Sequence, residues 1–142
     1  NSRTVALAGI LKNIYAIGLG ITTALRWGDN RKGWFAAAAF EEIACILPIL
    51  GAPRDAAYTP AGLGDFLATG YSGYSSNHHA GIELVTTGRS TSRSEGTYSL
   101  PTVLGILAAR KQQFEILGAI ERVVLRHADA KKVFEKLFRD GC

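Results

Sequence analysis

Methionine is absent from this chain, and cysteine and proline are scarce, with two of the first and four of the second in 142 residues. A chain without methionine has no initiator residue, and its abrupt start into an apolar run reads as a domain excised from a longer protein. Cys45 lies in an apolar helical pattern and Cys142 ends the chain, so a framework disulfide is not expected and a reducing, cytoplasmic setting fits better. No charged-then-apolar leader with a cleavage site opens the sequence. The net charge of +4 is mild and its basic residues are scattered, a weak pull on anions. Without an arginine-rich arm or interleaved aromatic platform, a nucleic-acid partner is excluded. No period-two alternation appears anywhere, which excludes strands and makes the class all-α.

Several catalytic signatures are missing as well. Gly18-Leu19-Gly20-Ile21-Thr22-Thr23 has half of a dinucleotide fingerprint, but it follows a helical pattern instead of a strand and lacks the third glycine. His78-His79 and His127 make no ligand set at zinc spacing, so no metal is expected. The serines stand in no Gly-x-Ser-x-Gly elbow.

What is present is one long apolar run, Val5 to Leu25, of about twenty residues, with a single ammonium, Lys12, inside it. The segment Thr4 to Trp27 is apolar nearly all round, the mark of a central helix in a multi-helix bundle. The run is long enough to span a bilayer, but Lys12 in its midst at about 2.5–3.5 kcal/mol, three glycines and the turn Gly28-Asp29-Asn30 disfavour a membrane partner. A second helix is expected over Lys32 to Leu50, with Glu41 and Glu42 on a solvated edge or, as the lesser alternative, one of the two carboxylates facing a polar site. Pro48, Gly51, Pro53 and Pro60 cut the next part into short pieces, with a short helix in Ala52 to Tyr58. Pro60 to Leu67 reads as a tight glycine turn into a helix start, with Asp65 at or near the N-cap. Ser75-Ser76-Asn77-His78 forms a polar entrance to helix Ala80 to Val85, and Thr86 to Gly96 a flexible polar linker. Three helices follow: Leu100 to Lys111, opened by Ser99 with Pro101 in its first turn; Glu115 to His127; and Lys131 to Phe138, capped by Asp129.

Lys12 needs either a route to water along its stem or a partner. Small same-face neighbours, Ala8, Gly9, Ala16 and Gly20, leave room beside the ammonium. A desolvated ammonium is a plausible proton donor near neutral pH, and a helix entrance rich in hydroxyl, amide and imidazole groups suits an anion. Lys12 with Asn13, Asp65, and the Ser76-Asn77-His78 entrance therefore form the candidate constellation. Spacing alone does not bring the three parts together.

The run Gly9-Ile10-Leu11-Lys12-Asn13-Ile14-Tyr15-Ala16-Ile17-Gly18 resembles the substrate-site helix of NAD(P)-dependent glycerol-3-phosphate dehydrogenases. Gly28-Asp29-Asn30-Arg31-Lys32, Ala61-Gly62-Leu63-Gly64-Asp65, Ser75-Ser76-Asn77 and Glu95-Gly96 follow in that family's order. The resemblance covers essentially the whole chain and implies a single helical substrate-binding domain, 1–142, of the 6-phosphogluconate dehydrogenase C-terminal type. The coenzyme, NAD or NADP, would be bound mainly by an N-terminal Rossmann domain outside this chain. Lys12 would protonate the C2 carbonyl oxygen of dihydroxyacetone phosphate, and Asp65 would orient the ammonium. Asn77, with Asn13, Ser76 and His78 nearby, would hold the triose phosphate. Two positions depart from the family pattern: Ser76 stands where an arginine is usual, and Ala38 where one is expected. His78 or Arg93 could supply the charge, or the substrate could differ. A noncatalytic helical dimerisation or interaction module is the alternative, and a homodimer is open under either reading.

Overall fold

The computed structural model describes residues 2–73, 75–90 and 93–141, apart from the side chains at 61 and 69. Among them are seven α-helices and no strand. The helices are α1 (Ser2–Ala24), α2 (Asp29–Ile49), α3 (Asp65–Gly70), α4 (Ser76–Thr86), α5 (Glu95–Ala109), α6 (Glu115–Val124) and α7 (Ala130–Gly141). Between α2 and α3 lie a 3₁₀ turn, Arg54–Tyr58, and a single π turn, Pro60–Gly64.

Helix α1 is the hub, in contact with α2 to α6. Its middle, from Leu11 through Ile14, Tyr15, Ile17, Leu19 and Ile21, is wholly buried, which accounts for an apolar surface on all sides. By length and composition α1 could also cross a membrane; here the neighbouring helices cover its central turns. The closest crossing is with α4. A Cβ on Gly20 would strike the His78 carbonyl oxygen, and one on Gly81 the Ile17 carbonyl oxygen. These glycines let two backbones touch, and the half-fingerprint Gly18-Leu19-Gly20 is thereby a packing feature.

Aromatic side chains close the other end. Trp27, Phe35, Phe134 and Phe138 pack edge-on or stacked around the α1–α2 corner and α7. The Arg31 guanidinium lies over Trp27 and Phe138, 4.6 and 4.1 Å from their ring centroids. It also grips both oxygens of Glu135, at 3.1 and 2.7 Å. Such a bidentate, ring-stacked pair fixes α7 on α2 in a way a lysine could not.

Several boundaries differ from the sequence expectation. Helix α5 begins at Glu95, ahead of Leu100, because Ser94 and Thr97 form a capping box there: Thr97 N–H donates to Ser94 Oγ, 3.1 Å. Pro101 consequently falls beyond the first turn, and the linker shortens to 87–94. Helix α6 stops at Val124, and His127 beyond it takes a left-handed conformation, φ 55°. The Asp129 cap on α7 is present, accepting from Lys132 N–H at 2.9 Å. Of the acidic pair, Glu41 is solvated and paired with Arg54 at 2.6 Å. Glu42 turns inward instead. Cys142 lies outside the described residues.

Candidate active site

Lys12 sits where α1 leaves the core. Its side chain is 17% exposed, and Nζ lies 2.7 Å from Asp65 Oδ2, on a carboxylate that is 56% exposed. The π turn delivers that carboxylate: Gly62 N–H donates to Thr59 Oγ1 at 3.1 Å, and the tightened backbone runs directly into α3 at Asp65. The Asp65 side chain is thus directed to the ammonium. An ion pair this open to water adds little stability. Its effect is to hold the ammonium in one place and orientation.

The next residue, Asn13, is held from two sides. Its Nδ2 donates to Glu95 Oε2, 2.8 Å, at the first turn of α5. Its Oδ1 accepts from Asn77 Nδ2, 3.1 Å, at the first turn of α4. Asn77 in turn accepts from Gly96 N–H at 2.8 Å. A chain of amides therefore ties the starts of α4 and α5 to α1 beside Lys12. Asn77 is buried, 5% exposed, and its carbonyl is committed to the backbone, so it can offer a ligand only amide N–H.

Ser76 is exposed at the first position of α4, after the N-cap Ser75, whose Oγ accepts from His78 N–H at 3.3 Å. Arg93 immediately precedes the N-cap of α5. His78 belongs elsewhere: its Nδ1–H donates to the Gly70 carbonyl at 2.7 Å and its ring meets Tyr71 edge-on. Burial is the main cause of its lowered pKa. Sequence adjacency misleads here, since one residue along a helix turns the side chain by about 100°. Ala38 is partly buried in the middle of α2.

One carboxylate of the acidic pair on α2 faces a polar site. Glu42 accepts from Tyr15 Oη–H at 2.7 Å and from the Ile116 and Leu117 N–H groups at 2.8 and 3.0 Å. It joins α1, α2 and the N-terminus of α6 through one carboxylate. Burial raises its pKa against the pull of these bonds, and burial first, then Glu42, raises that of Tyr15. Glu95 was not among the candidate side chains. The Ser94–Thr97 capping box, which locates a helix start there, was the signal that could have found it.

No group of three or more His, Cys, Asp or Glu among the described residues could hold a metal. Gly18 and Gly20 are spent on helix packing, and among the described residues no strand feeds a glycine turn. Two cavities, one of about 660 Å³ against α2 and one of about 1400 Å³ between α5, α6 and α7, are not lined by Lys12 or Asp65. Lys12, Asp65, Asn13 and Glu95 instead occupy an open rim.

The fold is that of a helical dehydrogenase domain. It matches the crystal structure of glycerol-3-phosphate dehydrogenase from Coxiella burnetii with a TM-score of 0.86 at 22% identity, covering 95% of this chain and 44% of that one. In sequence, it is 33% identical over 141 residues to glycerol-3-phosphate dehydrogenase [NAD(P)+] of Dehalococcoides mccartyi, covering 94% of this chain and 39% of the relative. With the Thermus thermophilus protein of the same name it shares 33% over 129 residues, 85% of this chain and 39% of the relative. Residues 1–135 match the family described as NAD-dependent glycerol-3-phosphate dehydrogenase C-terminus. The chain belongs to that family, and it spans about two fifths of the length of these relatives.

Proposed function

We propose that this chain is the substrate-binding, proton-transferring part of an NAD(P)-dependent dehydrogenase that interconverts dihydroxyacetone phosphate and sn-glycerol 3-phosphate. The observation that carries this reading is the Lys12–Asp65 pair at 2.7 Å on the open rim of a domain of this family. The reduced coenzyme, NADH or NADPH, supplies a hydride to C2 and is held mainly by a domain outside this chain. Lys12 Nζ gives its proton to the C2 carbonyl oxygen, so that an O–H bond forms as an N–H bond breaks, and the amine recovers a proton from water through its exposed edge. Asp65 aims the ammonium. Asn13, pinned by Glu95 and Asn77, presents a fixed amide beside the reacting carbonyl. The phosphate rests at the start of α4, on the Ser76 hydroxyl, backbone amides and an Asn77 amide N–H, with Arg93, just before the α5 N-cap, as a candidate further charge. Such a site closes only when the coenzyme domain covers it. The reaction places the protein among cytoplasmic metabolic enzymes.

The test is dihydroxyacetone phosphate-dependent oxidation of NADH and NADPH by the full-length protein. Lys12→Ala is expected to lower kcat by about 10²–10⁴-fold, with Asp65→Asn in the same direction, and residues 1–142 alone should give no turnover. A Lys12→Ala enzyme that turns over like its parent would overturn the assignment.

A further inference from the structure

We propose that the cavity between α2, α3 and α4 binds a small apolar anion, with the Lys32 ammonium as its charge partner. The cavity, about 660 Å³, falls in the size range of small-molecule sites. Ala36 and Phe40 of α2 form its buried wall, and Leu63 and Leu67, 40% and 38% exposed, its open side. Tyr71, His78 and Lys32 supply the polar edge.

The contrast among the cations is what identifies the ligand's charge. Three cations are partly buried among the described residues: Lys12, Arg31 and Lys32. Lys12 faces Asp65 and Arg31 faces Glu135, each at 2.7 Å. Lys32 has no such carboxylate among the described residues; its ammonium lies 5.0 Å from the centroid of the Tyr71 ring, at the cavity edge. A partly desolvated ammonium on an aromatic face retains unspent capacity for an anion. Burial pushes His78 down and Tyr71 up, so both rings are neutral at pH 7 and Lys32 carries the positive charge of this wall. Asp29, one turn earlier on α2, also lines the cavity and is exposed at its mouth. It opposes any anion that enters and disfavours those of high charge. The fitting class is therefore a monocarboxylate or monosulfonate with an aliphatic or aromatic body. Neither Lys12 nor Asp65 borders this cavity, so the site stands or falls apart from the dehydrogenase reading.

The test titrates the full-length protein with 1-anilinonaphthalene-8-sulfonate and displaces the dye with octanoate or with octan-1-ol. One dye site per chain is expected, displaced by octanoate at a concentration about tenfold or more below that of the alcohol. Lys32→Met, which keeps the stem and removes the charge, should weaken dye and octanoate binding by about tenfold or more while leaving the thermal transition in place. Asp29→Asn should tighten both. Equal displacement by alcohol and acid would mean an apolar patch without anion selectivity, and unchanged binding in Lys32→Met would remove the charge partner. An absence of dye binding because another domain or a second copy covers the face would overturn the proposal as well.

Discussion

Removing the Glu42 carboxylate is expected to cost the domain about 3 kcal/mol, and the terms can be worked out from its three partners. In Glu42→Ala the wholly buried Tyr15 loses its acceptor, an orphaned hydroxyl worth about 1–3 kcal/mol. The second and third amides of α6 lose their cap, worth about 1 kcal/mol, and the helix dipole loses a negative charge, about 0.3–1 kcal/mol. The lost γ-methylene adds about 0.8 kcal/mol. Against this, the desolvation that raises the Glu42 pKa is relieved, which brings the net down. Glu42→Gln should lie lower, about 1–2 kcal/mol, because one amide oxygen replaces two carboxylate oxygens and an NH₂ faces backbone donors. Tyr15→Phe combined with Glu42→Ala should cost about 1 kcal/mol less than the two single changes added together, since the second change removes a group already orphaned. Urea unfolding followed by circular dichroism, at matched m-values, reads these differences. The pH arm follows from the direction of the shift: a carboxyl whose native pKa lies above its ordinary 4.5 binds protons more tightly when folded. Its contribution is then fully present below about 4.5 and is lost as pH rises through the native value. Glu42→Gln should abolish that fall. A Glu42→Ala protein within about 0.5 kcal/mol of its parent would refute the three-way junction.

Lys111 is the left-handed residue, φ 56°, in a Schellman ending of α5 where Gln112 N–H reaches Leu107 O; Gly51, φ 98°, has the same place after α2. Lys111→Gly should stabilise by about 0.5–1 kcal/mol, read as a rise of the thermal midpoint, and a fall would contradict it. Gly81→Ala drives a methyl into the α1 backbone and should destabilise by about 3 kcal/mol in the same unfolding assay. A neutral result there would mean that α1 and α4 can separate freely. In the full-length enzyme, Ser76→Arg adds a charge-assisted donor at the start of α4 and should lower the Michaelis constant for dihydroxyacetone phosphate by about tenfold. An unchanged constant would mean the phosphate is already held by other groups.

The central helix was legible in the sequence because it is apolar on every side, and Lys12 stood out because a charge in such a run demands a partner. That the partner is Asp65 was an inference from resemblance, since the two lie 53 positions apart. Glu42 was legible only as one of two acidic residues, either of which could face a polar site. It looks like its neighbour Glu41, and the partners that draw it inward come from α1 and α6, far along the chain. The start of α5 was read late because Pro101 suggests a first turn and the capping box here carries Thr97 where Glu or Gln is the usual signal. Three helices end in left-handed Arg26, Lys111 and His127, non-glycine residues that give no punctuation in a sequence. His78 was grouped with Asn77 by adjacency, while helical geometry sends the two side chains to different partners.

The amide chain through Asn13, Asn77 and Gly96 has a bearing on protein engineering. It grips the chain on both sides of the polar segment 87–94, so helices α4 and α5 are held in register by their own first turns and not by the length of what joins them. Lengthening such a connector costs only about 0.6 kcal/mol per doubling. A peptide tag or fluorescent reporter inserted after Ser90 should leave the Lys12 rim undisturbed, with an unaltered thermal midpoint as the check. The stretch 87–90, short of Arg93, is where the protein can be labelled, immobilised or spliced to another domain without touching its chemistry.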